Sequence, residues 1–157
     1  MDDPTIITAH LCISGHSTDL WPEFERNIDT RDAAGNPRTG SMGIGFSCVT
    51  DMSTLAGLDR KSFKTALKET HPAMKDIEVA QLWDFLVFAS GGGQYFWIKR
   101  GTRPLWLARR TSDYYFVRRA EDPHWHSHRI RYEIIRPATE AESAPLVGKG
   151  VKTICRR

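Results

Sequence analysis

Three histidines alternate near the end of the chain, at a spacing that could support metal chemistry. On an extended segment His124, His126 and His128 would project from one side, as the ligands of a zinc ion must. That side continues into the apolar residue Ile130, which belongs in a core. We therefore predict no metal and no other cofactor, and place these histidines on the surface or in hydrogen bonds before the last strand.

Hydrolytic chemistry is a second interpretation of such residues. Ser47, Cys48 and a histidine could form a catalytic group, but no spacing between them supports one. Cys12, Cys48 and Cys155 are odd in number and lack a Cys-x-x-Cys spacing, which argues against a disulfide framework and a zinc knuckle. The triple glycine at 91–93 also lacks the spacing of a phosphate-binding loop. The sequence therefore predicts a binding protein and no enzyme.

Basic charge is concentrated in one segment. Residues 1–98 hold 8 Lys and Arg against 13 Asp and Glu, whereas residues 99–136 hold 10 against 4. Such asymmetry is typical of a surface that meets phosphates, although a solvated Arg-rich face paired with carboxylates is the alternative. Five basic residues on or beside a predicted hairpin are candidate contacts to a nucleic-acid backbone: Lys99, Arg103, Arg109, Arg110 and Arg118. Consecutive strand residues point to opposite faces, so only one of Arg109 and Arg110 can belong to a given surface.

The first part of the chain is predicted to alternate strands, loops and a short helix. Residues 5–13 are apolar and β-prone, and Asp19 is placed to cap a short helix. Residues 29–43 are rich in Gly, Asn, Asp and Pro, which predicts a long exposed loop. Residues 44–49 predict a short strand.

Two longer helices follow. Asp59 is a favourable N-cap for a helix that must stop near Pro72. A second helix is predicted to start at Asp76, with apolar residues at helical spacing until the triple glycine.

From residue 95 the period becomes that of a sheet. Four β-prone runs separated by turn residues predict an antiparallel meander, at 95–99, 104–110, 114–119 and 128–135. In the last run alternate residues from Ile130 should face the core, whereas those from Arg129 should face water. We predict one domain over residues 1–137, followed by a tail or linker over 138–157.

The order of motifs along the chain resembles a known family. Ile44-Gly45-Phe46 is followed by Asp51-Met52-Ser53-Thr54-Leu55, two helices, the segment KRGTRPLWLARRTSDYYF and the segment HWHSHRIRYEII. This order is similar to that of the PUA-like EVE-type domains, especially those at the amino end of modification-dependent restriction systems. The chain departs from the family pattern where Gly101-Thr102 replaces Gly-Asp, Phe46 replaces Trp, and Ile134 or Ile135 replaces a closing Trp.

The resemblance implies an α+β fold, in which a curved and mostly antiparallel β-barrel is flanked by short helices. Relatives insert an extruded or single-stranded modified base into a pocket, where aromatic rings stack on the base and polar groups contact its edge. By position, the resemblance implies pocket roles for Phe46, Ser47, Asp51, Tyr114 and Tyr115. Only one of the two consecutive tyrosines can line the pocket. Trp21 and Trp97 are further candidate walls.

We therefore predict a nucleic-acid-binding module that recognises a modified or flipped base in DNA or RNA. The alternative is a pocketed module for a small ligand or a peptide, without nucleic acid. The chain has no run of about 18 apolar residues and its amino end lacks a secretory signal, so we expect a soluble intracellular protein, cytoplasmic or nuclear, without a membrane partner. A fused or partner effector domain is a further expectation from the resemblance.

Overall fold

The computed structural model describes residues 7–14, 21–44, 50–92, 94–100, 103–118, 127–143 and 154–156, with the main chain alone for 7–14, 92 and 154–156. Within these ranges lie three α-helices, α1 (Trp21–Arg26), α2 (Arg60–Thr70) and α3 (Asp76–Val87). None of these described helices is long and apolar enough to cross a membrane.

The described strands form a single sheet of eight. They are β1 (Ile7–Ser14), β2 (Ile28–Arg31), β3 (Pro37–Ile44), β4 (Tyr95–Arg100), β5 (Arg103–Arg110), β6 (Tyr115–Phe116), β7 (His128–Pro137) and β8 (Ile154–Arg156). Their order is β2-β3-β7-β5-β4-β1-β8, and β6 pairs with the start of β7. Every pairing is antiparallel except the parallel one between β1 and β4. The predicted α+β class with a mostly antiparallel sheet is confirmed.

The predicted closure into a barrel is wrong for the strands that the structure describes. β2 and β8 stand at the two ends of the strand order, and no described pairing joins them. β1 cannot bridge the gap because β4 and β8 occupy both of its edges. A barrel needs a continuous ring of paired strands, and this sheet is open.

Residues 29–43, predicted as a long exposed loop, instead contain most of a β-hairpin formed by β2 and β3. The turn-forming residues are concentrated at its tip, where Asp32 Oδ1 accepts hydrogen bonds from the main-chain N–H groups of Ala34 and Asn36 at 2.9 Å each. The rest of the segment is strand, and Thr39–Ile44 pair with β7. Composition missed this strand because its small residues are held extended by the pairing with β7 and not by their own propensity.

The carboxyl-terminal strands pair in an order that the predicted meander does not contain. β5 pairs with β7 and not with β6, and β6 is a two-residue strand beside the start of β7. Part of the predicted tail also enters the sheet, because β8 pairs with β1. The sheet therefore extends beyond the predicted boundary at residue 137.

The two longer helices begin where the sequence predicts. Asp59 caps α2, since its Oδ1 accepts a hydrogen bond from the Ser62 N–H at 2.8 Å. α3 begins at Asp76 and continues into a π-helical turn, Phe88–Gly92. Gly91 has a φ of 112° in this turn, a conformation that only glycine adopts at little cost, and it ends the helix before β4.

One apolar cluster joins the helices to the sheet. α2 contributes Phe63 and Leu67, and α3 contributes Leu82 and Phe85. The strands add alternate residues such as Ile130, which is fully buried as predicted. This cluster fixes the helical layer against the middle of the sheet.

The residues after β7 are tied back to the sheet by an ion pair. Arg136 donates two hydrogen bonds to Glu142, with N–O distances of 2.6 and 2.9 Å. Thr139 and Glu142 exchange hydrogen bonds in the pattern of a capping box, at 3.0 and 3.2 Å. The bond from Arg136, followed by that from the Thr139 N–H, lowers the pKa of Glu142 to about 2.

Glu142→Gln should remove an acid-sensitive contribution to stability. Because the pKa of Glu142 is 4.5 ordinarily and about 2 in the fold, its carboxylate stabilises the fold above pH 4.5 and loses that effect as the pH falls toward 2. Urea denaturation from neutral pH downward should show a smaller loss of stability in the variant than in the parent. Glu140→Gln is the matched control, since no described ion pair involves that carboxylate. Equal pH dependence in parent and Glu142→Gln would contradict the assignment.

β3 and β7 approach each other closely at Gly43. A Cβ atom at this position would lie 1.7 Å from the carbonyl oxygen of His128. We expect Gly43→Ala to force the strands apart and to lower the free energy of unfolding by at least about 3 kcal/mol. Arg38→Ala, at an exposed position of the same strand, should change it by less than about 0.5 kcal/mol. Chemical denaturation measures both, and a Gly43→Ala protein as stable as the control would refute the close approach.

Candidate functional site

Tyr114 joins three segments of the chain through its hydroxyl group. The hydroxyl oxygen accepts a hydrogen bond from the main-chain N–H of Met52 at 2.9 Å and lies 2.8 Å from Nδ1 of His128. Met52 and His128 are fully buried, whereas the Tyr114 side chain is half-buried. One side chain thus connects the segment after β3, the start of β6 and the start of β7.

The loop between β5 and β6 orients Tyr114. The Tyr114 N–H donates to the Ala89 carbonyl in the π-helical turn at 2.8 Å. Arg110, whose side chain is 10% exposed, donates to Asp113 Oδ1 at 3.1 Å, and its guanidinium carbon lies 5.9 Å from the centre of the Phe88 ring. Arg110 therefore stabilises the loop from within and presents little of itself to solvent.

His128 lies against two aromatic rings. The centre of its imidazole is 5.8 Å from that of Tyr114 and 5.6 Å from that of Phe116. Tyr114 and Phe116 are two residues apart and contact the same imidazole, as alternate residues of an extended segment can. The sequence predicted that His128 lies either at the surface or in a hydrogen bond. It is hydrogen-bonded, and it is not at the surface because it is 0% exposed. His124 and His126 lie outside the described residues.

Asp51 lies beside these groups at the surface. Its Oδ1 accepts hydrogen bonds from the Ser53 N–H at 2.9 Å and from the Ser53 hydroxyl. The hydroxyl of Ser53, and then its N–H, lower the pKa of Asp51, and Tyr114 and His128 contribute to the same effect. The carboxylate is therefore ionised at neutral pH and acts only as an acceptor. We call Asp51, Met52, Tyr114, Phe116 and His128 the Tyr114 cluster.

The hydroxyl hydrogen of Tyr114 couples Asp51 to His128. The Met52 N–H occupies one lone pair of the hydroxyl oxygen. When Nδ1 of His128 carries a hydrogen, it donates to the second lone pair, and the hydroxyl can donate to Asp51. When Nδ1 is bare, the hydroxyl donates to it instead. Whether Nδ1 of His128 carries the ring hydrogen therefore decides whether the Tyr114 hydroxyl is available to donate to Asp51.

The Tyr114 cluster combines two features that suit a flat, polar ligand. The Tyr114 ring stacks on His128 and is only half-buried, so part of it reaches the surface, and the ionised carboxylate of Asp51 lies next to it. An acceptor of this kind selects a ligand edge that carries N–H or O–H donors. Among the residues that the structure describes, no group of three His, Cys, Asp or Glu could hold a metal ion.

Two of the predicted pocket residues come together in this cluster. Asp51 and Tyr114 meet there although 62 residues separate Tyr114 from Met52, the neighbour of Asp51. Tyr115 is half-buried and is opposite Arg129 in the pairing of β6 with β7. Phe46 and Ser47 lie outside the described residues.

The two tryptophans proposed as further walls have other neighbours. Trp21, on α1, stacks on Trp106 with ring centres 6.1 Å apart and contacts Phe24 at 5.6 Å. Trp97 is 7% exposed, and the guanidinium of Arg136 lies 5.7 Å from the centre of its ring. The described aromatic residues thus form several clusters, and Trp21 and Trp97 contact none of the rings around Tyr114.

The predicted backbone contacts differ in their exposure. Lys99 is 0% exposed, so the expectation that it contacts a nucleic-acid backbone is wrong for this structure. Arg109 is ion-paired with Glu133 at 2.6 Å, and Arg110 is the loop-stabilising residue described above. The exposed members of the predicted set are Arg103 and Arg118.

Arg129, predicted to face water, is buried in an ion pair. Its Nη2 lies 2.5 Å from Glu23 Oε1, with side chains 2% and 9% exposed, and its Nη1 donates to Ser41 Oγ at 3.1 Å. Glu23 is on α1, so the pair anchors that helix against β7. The strand pattern could not reveal it, because the compensating carboxylate is 106 residues away.

Two residues with a place in these clusters were not among the predicted site residues. Phe116 packs on His128, and the alternation of Tyr114 and Phe116 around Tyr115 was the signal that could have found it. Arg100 lies over the ring of Trp21, and its signal was its position three residues before Arg103 across a predicted turn. Both signals require knowledge of which strands pair.

Comparison of the chain with protein-family models, curated proteins and solved structures gave no match. The resemblance to the PUA-like EVE-type domains therefore depends on the sequence motifs and stays a prediction. What the protein binds has to be argued from its own residues.

Tyr114→Phe should destabilise the protein through two lost hydrogen bonds. The buried Met52 N–H and the buried His128 Nδ1 would both lose their partner, at a cost of about 1–3 kcal/mol in the free energy of unfolding. Tyr115→Phe is the matched control, because the structure shows no hydrogen bond from that hydroxyl to the described residues, and it should change stability by less than about 0.5 kcal/mol. Urea denaturation measures both. Equal stabilities of the two variants would contradict the role of the Tyr114 hydroxyl.

Proposed function

We propose that this protein is a nucleic-acid-binding module that holds one modified or flipped base against Tyr114, as its motif resemblance to the PUA-like EVE-type domains implies, on an open sheet in place of their barrel. The observation that carries the proposal is the contact between Tyr114, Asp51 and His128. A base outside its stack offers a flat π face and a polar edge. The Tyr114 cluster has a half-buried ring for the face and an ionised carboxylate for the edge. The proposed role is binding, without a catalytic step.

The charge on Asp51 favours one class of base edge. A carboxylate pairs with N–H donors such as the exocyclic amino groups of cytosine and adenine, and it repels the carbonyl oxygens of thymine or uracil. An ionised carboxylate has about four acceptor sites, of which Ser53 occupies two and Tyr114 at most one, so Asp51 keeps acceptor capacity for the ligand. We propose that the preferred base is an amino-bearing one, modified at a position away from that edge.

The position of Asp51 in the chain agrees with the rest of the proposed pocket. β3 ends at Ile44, and the chain reaches Asp51 through the segment that contains Phe46 and Ser47. The resemblance implies that these two residues line the wall. Three exposed arginines of the segment 99–136 have no carboxylate partner among the described residues: Arg100, Arg103 and Arg118. They favour a polyanionic partner such as DNA or RNA over a neutral small ligand or a peptide.

Asp51→Asn tests the proposal with little change in shape. The amide oxygen can still accept from Ser53, but the charge-assisted bond to the base is lost, which should reduce discrimination for the preferred base by about 1–3 kcal/mol. Fluorescence anisotropy should be measured with single- and double-stranded oligonucleotides that carry unmodified, methylated and hydroxymethylated bases. Asp76→Asn, which removes an exposed carboxylate paired with Lys64 and Lys68, is the charge-matched control.

The expected result is a base preference in the parent and in Asp76→Asn that Asp51→Asn loses. A folded Asp51→Asn protein that keeps the base preference of the parent would exclude Asp51 from base recognition. Absence of any base preference in the parent would remove the proposed function, and selective binding of a small neutral ligand or a peptide would put the alternative in its place.

A further inference from the structure

Two arginines oppose each other at one end of the hairpin formed by β4 and β5. Arg100 and Arg103 are register partners in this antiparallel pair, and both are exposed. Directly opposed residues have Cβ atoms about 4.5–5.5 Å apart, and like charges at that separation destabilise a sheet. The arrangement therefore concentrates positive charge at this end of the hairpin.

The other arginines of β5 and β7 past Arg103 each have a carboxylate partner. The pairs are Arg109 with Glu133, Arg110 with Asp113, Arg129 with Glu23, Arg131 with Asp29 and Arg136 with Glu142. Among the residues that the structure describes, no carboxylate lies within ion-pair distance of Arg100 or Arg103. The protein thus neutralises the other arginines of β5 and β7 and leaves this opposed pair for an anion from outside.

An aromatic stack holds one of the two guanidinium groups in place. The guanidinium carbon of Arg100 lies 4.6 Å from the centre of the Trp21 ring, well within the range of a cation–π contact. Trp21 stacks in turn on Trp106 of β5, which stacks on Phe24 at 5.8 Å. A guanidinium over an aromatic ring keeps N–H donors for an oxygen ligand. Arg100 is therefore positioned by Trp21 and can still donate to a phosphate oxygen.

We infer that Arg100 and Arg103 form a clamp for one backbone phosphate of a nucleic-acid strand whose base is held at Tyr114, an inference that rests on the proposed function. A phosphate supplies the negative charge and the paired oxygens that two guanidinium groups bind best. Nucleic acid is the favoured source of that phosphate because the same strand would reach the Tyr114 cluster.

The clamp and the loop that carries Tyr114 lie at opposite ends of β5. Arg103 begins this strand, and Arg110, which holds the loop before Tyr114, ends it. At about 3.3 Å per residue the strand spans roughly 23 Å, which corresponds to about seven stacked nucleotides at 3.4 Å each. A strand with a base at Tyr114 would therefore present a phosphate to the clamp several nucleotides away.

The test is binding of labelled oligothymidylate and of the preferred modified oligonucleotide over a series of salt concentrations. Arg100→Gln/Arg103→Gln should bind both at least about tenfold more weakly at low salt and reduce the slope of log affinity against log salt by about 0.7, the value for one phosphate contact in a single strand. Arg100→Lys/Arg103→Lys should restore the slope, because it keeps the charge. Arg38→Gln/Lys61→Gln, which removes the same charge from exposed positions elsewhere, should behave as the parent.

Loss of affinity in the Gln double variant, with the base preference kept, supports the clamp. The variant should also keep or raise the melting temperature, because a like-charge pair is removed. A folded Gln double variant that binds as the parent overturns the clamp and leaves the proposed function standing. If oligothymidylate binding needs Arg100 and Arg103 but the parent shows no base preference, the clamp is supported and the proposed base-binding site at Tyr114 is contradicted. The assignment to nucleic acid is overturned if the protein binds phosphatidylserine vesicles or inorganic phosphate but does not bind the oligonucleotides.

Discussion

The buried ion pair between Arg129 and Glu23 fixes the position of α1 on the sheet. Each group is a charge in a place that excludes water, so loss of either one would leave the other uncompensated, at a cost of about 3–5 kcal/mol. Arg129 directly follows His128 in β7, and Glu23 is two residues from Trp21 on α1. One ion pair thus supports both the Tyr114 cluster and Trp21, whose ring lies under the guanidinium of Arg100. The two proposed contact points depend on the same buried charge.

The elements that could be predicted are those whose signals lie within a few residues. Asp59 caps α2 and Asp76 opens α3 because a cap and a helical apolar period are local features. β4, β5 and most of β7 follow from alternation and turn residues. The α+β class follows in turn from the mixture of these elements.

What could not be predicted depends on which strands pair. β3 is extended because it pairs with β7, and nothing in its small residues requires this. The burial of Lys99 and the partner of Arg109 follow from neighbours in the sheet, and the partner of Arg129 follows from the packing of α1 on it. In the candidate site, motif positions indicated Asp51 and Tyr114 as pocket residues. Their contact with His128, and the distance of Trp21 from them, could be known only from the pairing of the strands.

The parallel pairing of β1 with β4 and its second pairing with β8 bear on how a newly made chain folds. Among the described strands β1 is synthesised first, yet its partners lie at residues 95–100 and 154–156. At about 5–20 residues per second, the edge of β1 that pairs with β4 waits for roughly 80 further residues. The edge that pairs with β8 waits for roughly 140 residues, which take about 7–28 s to translate. Unpaired strand edges recruit other chains. The nascent chain therefore passes through a stage in which an edge of β1 is open to pairing with other chains, and translation speed sets the length of that stage.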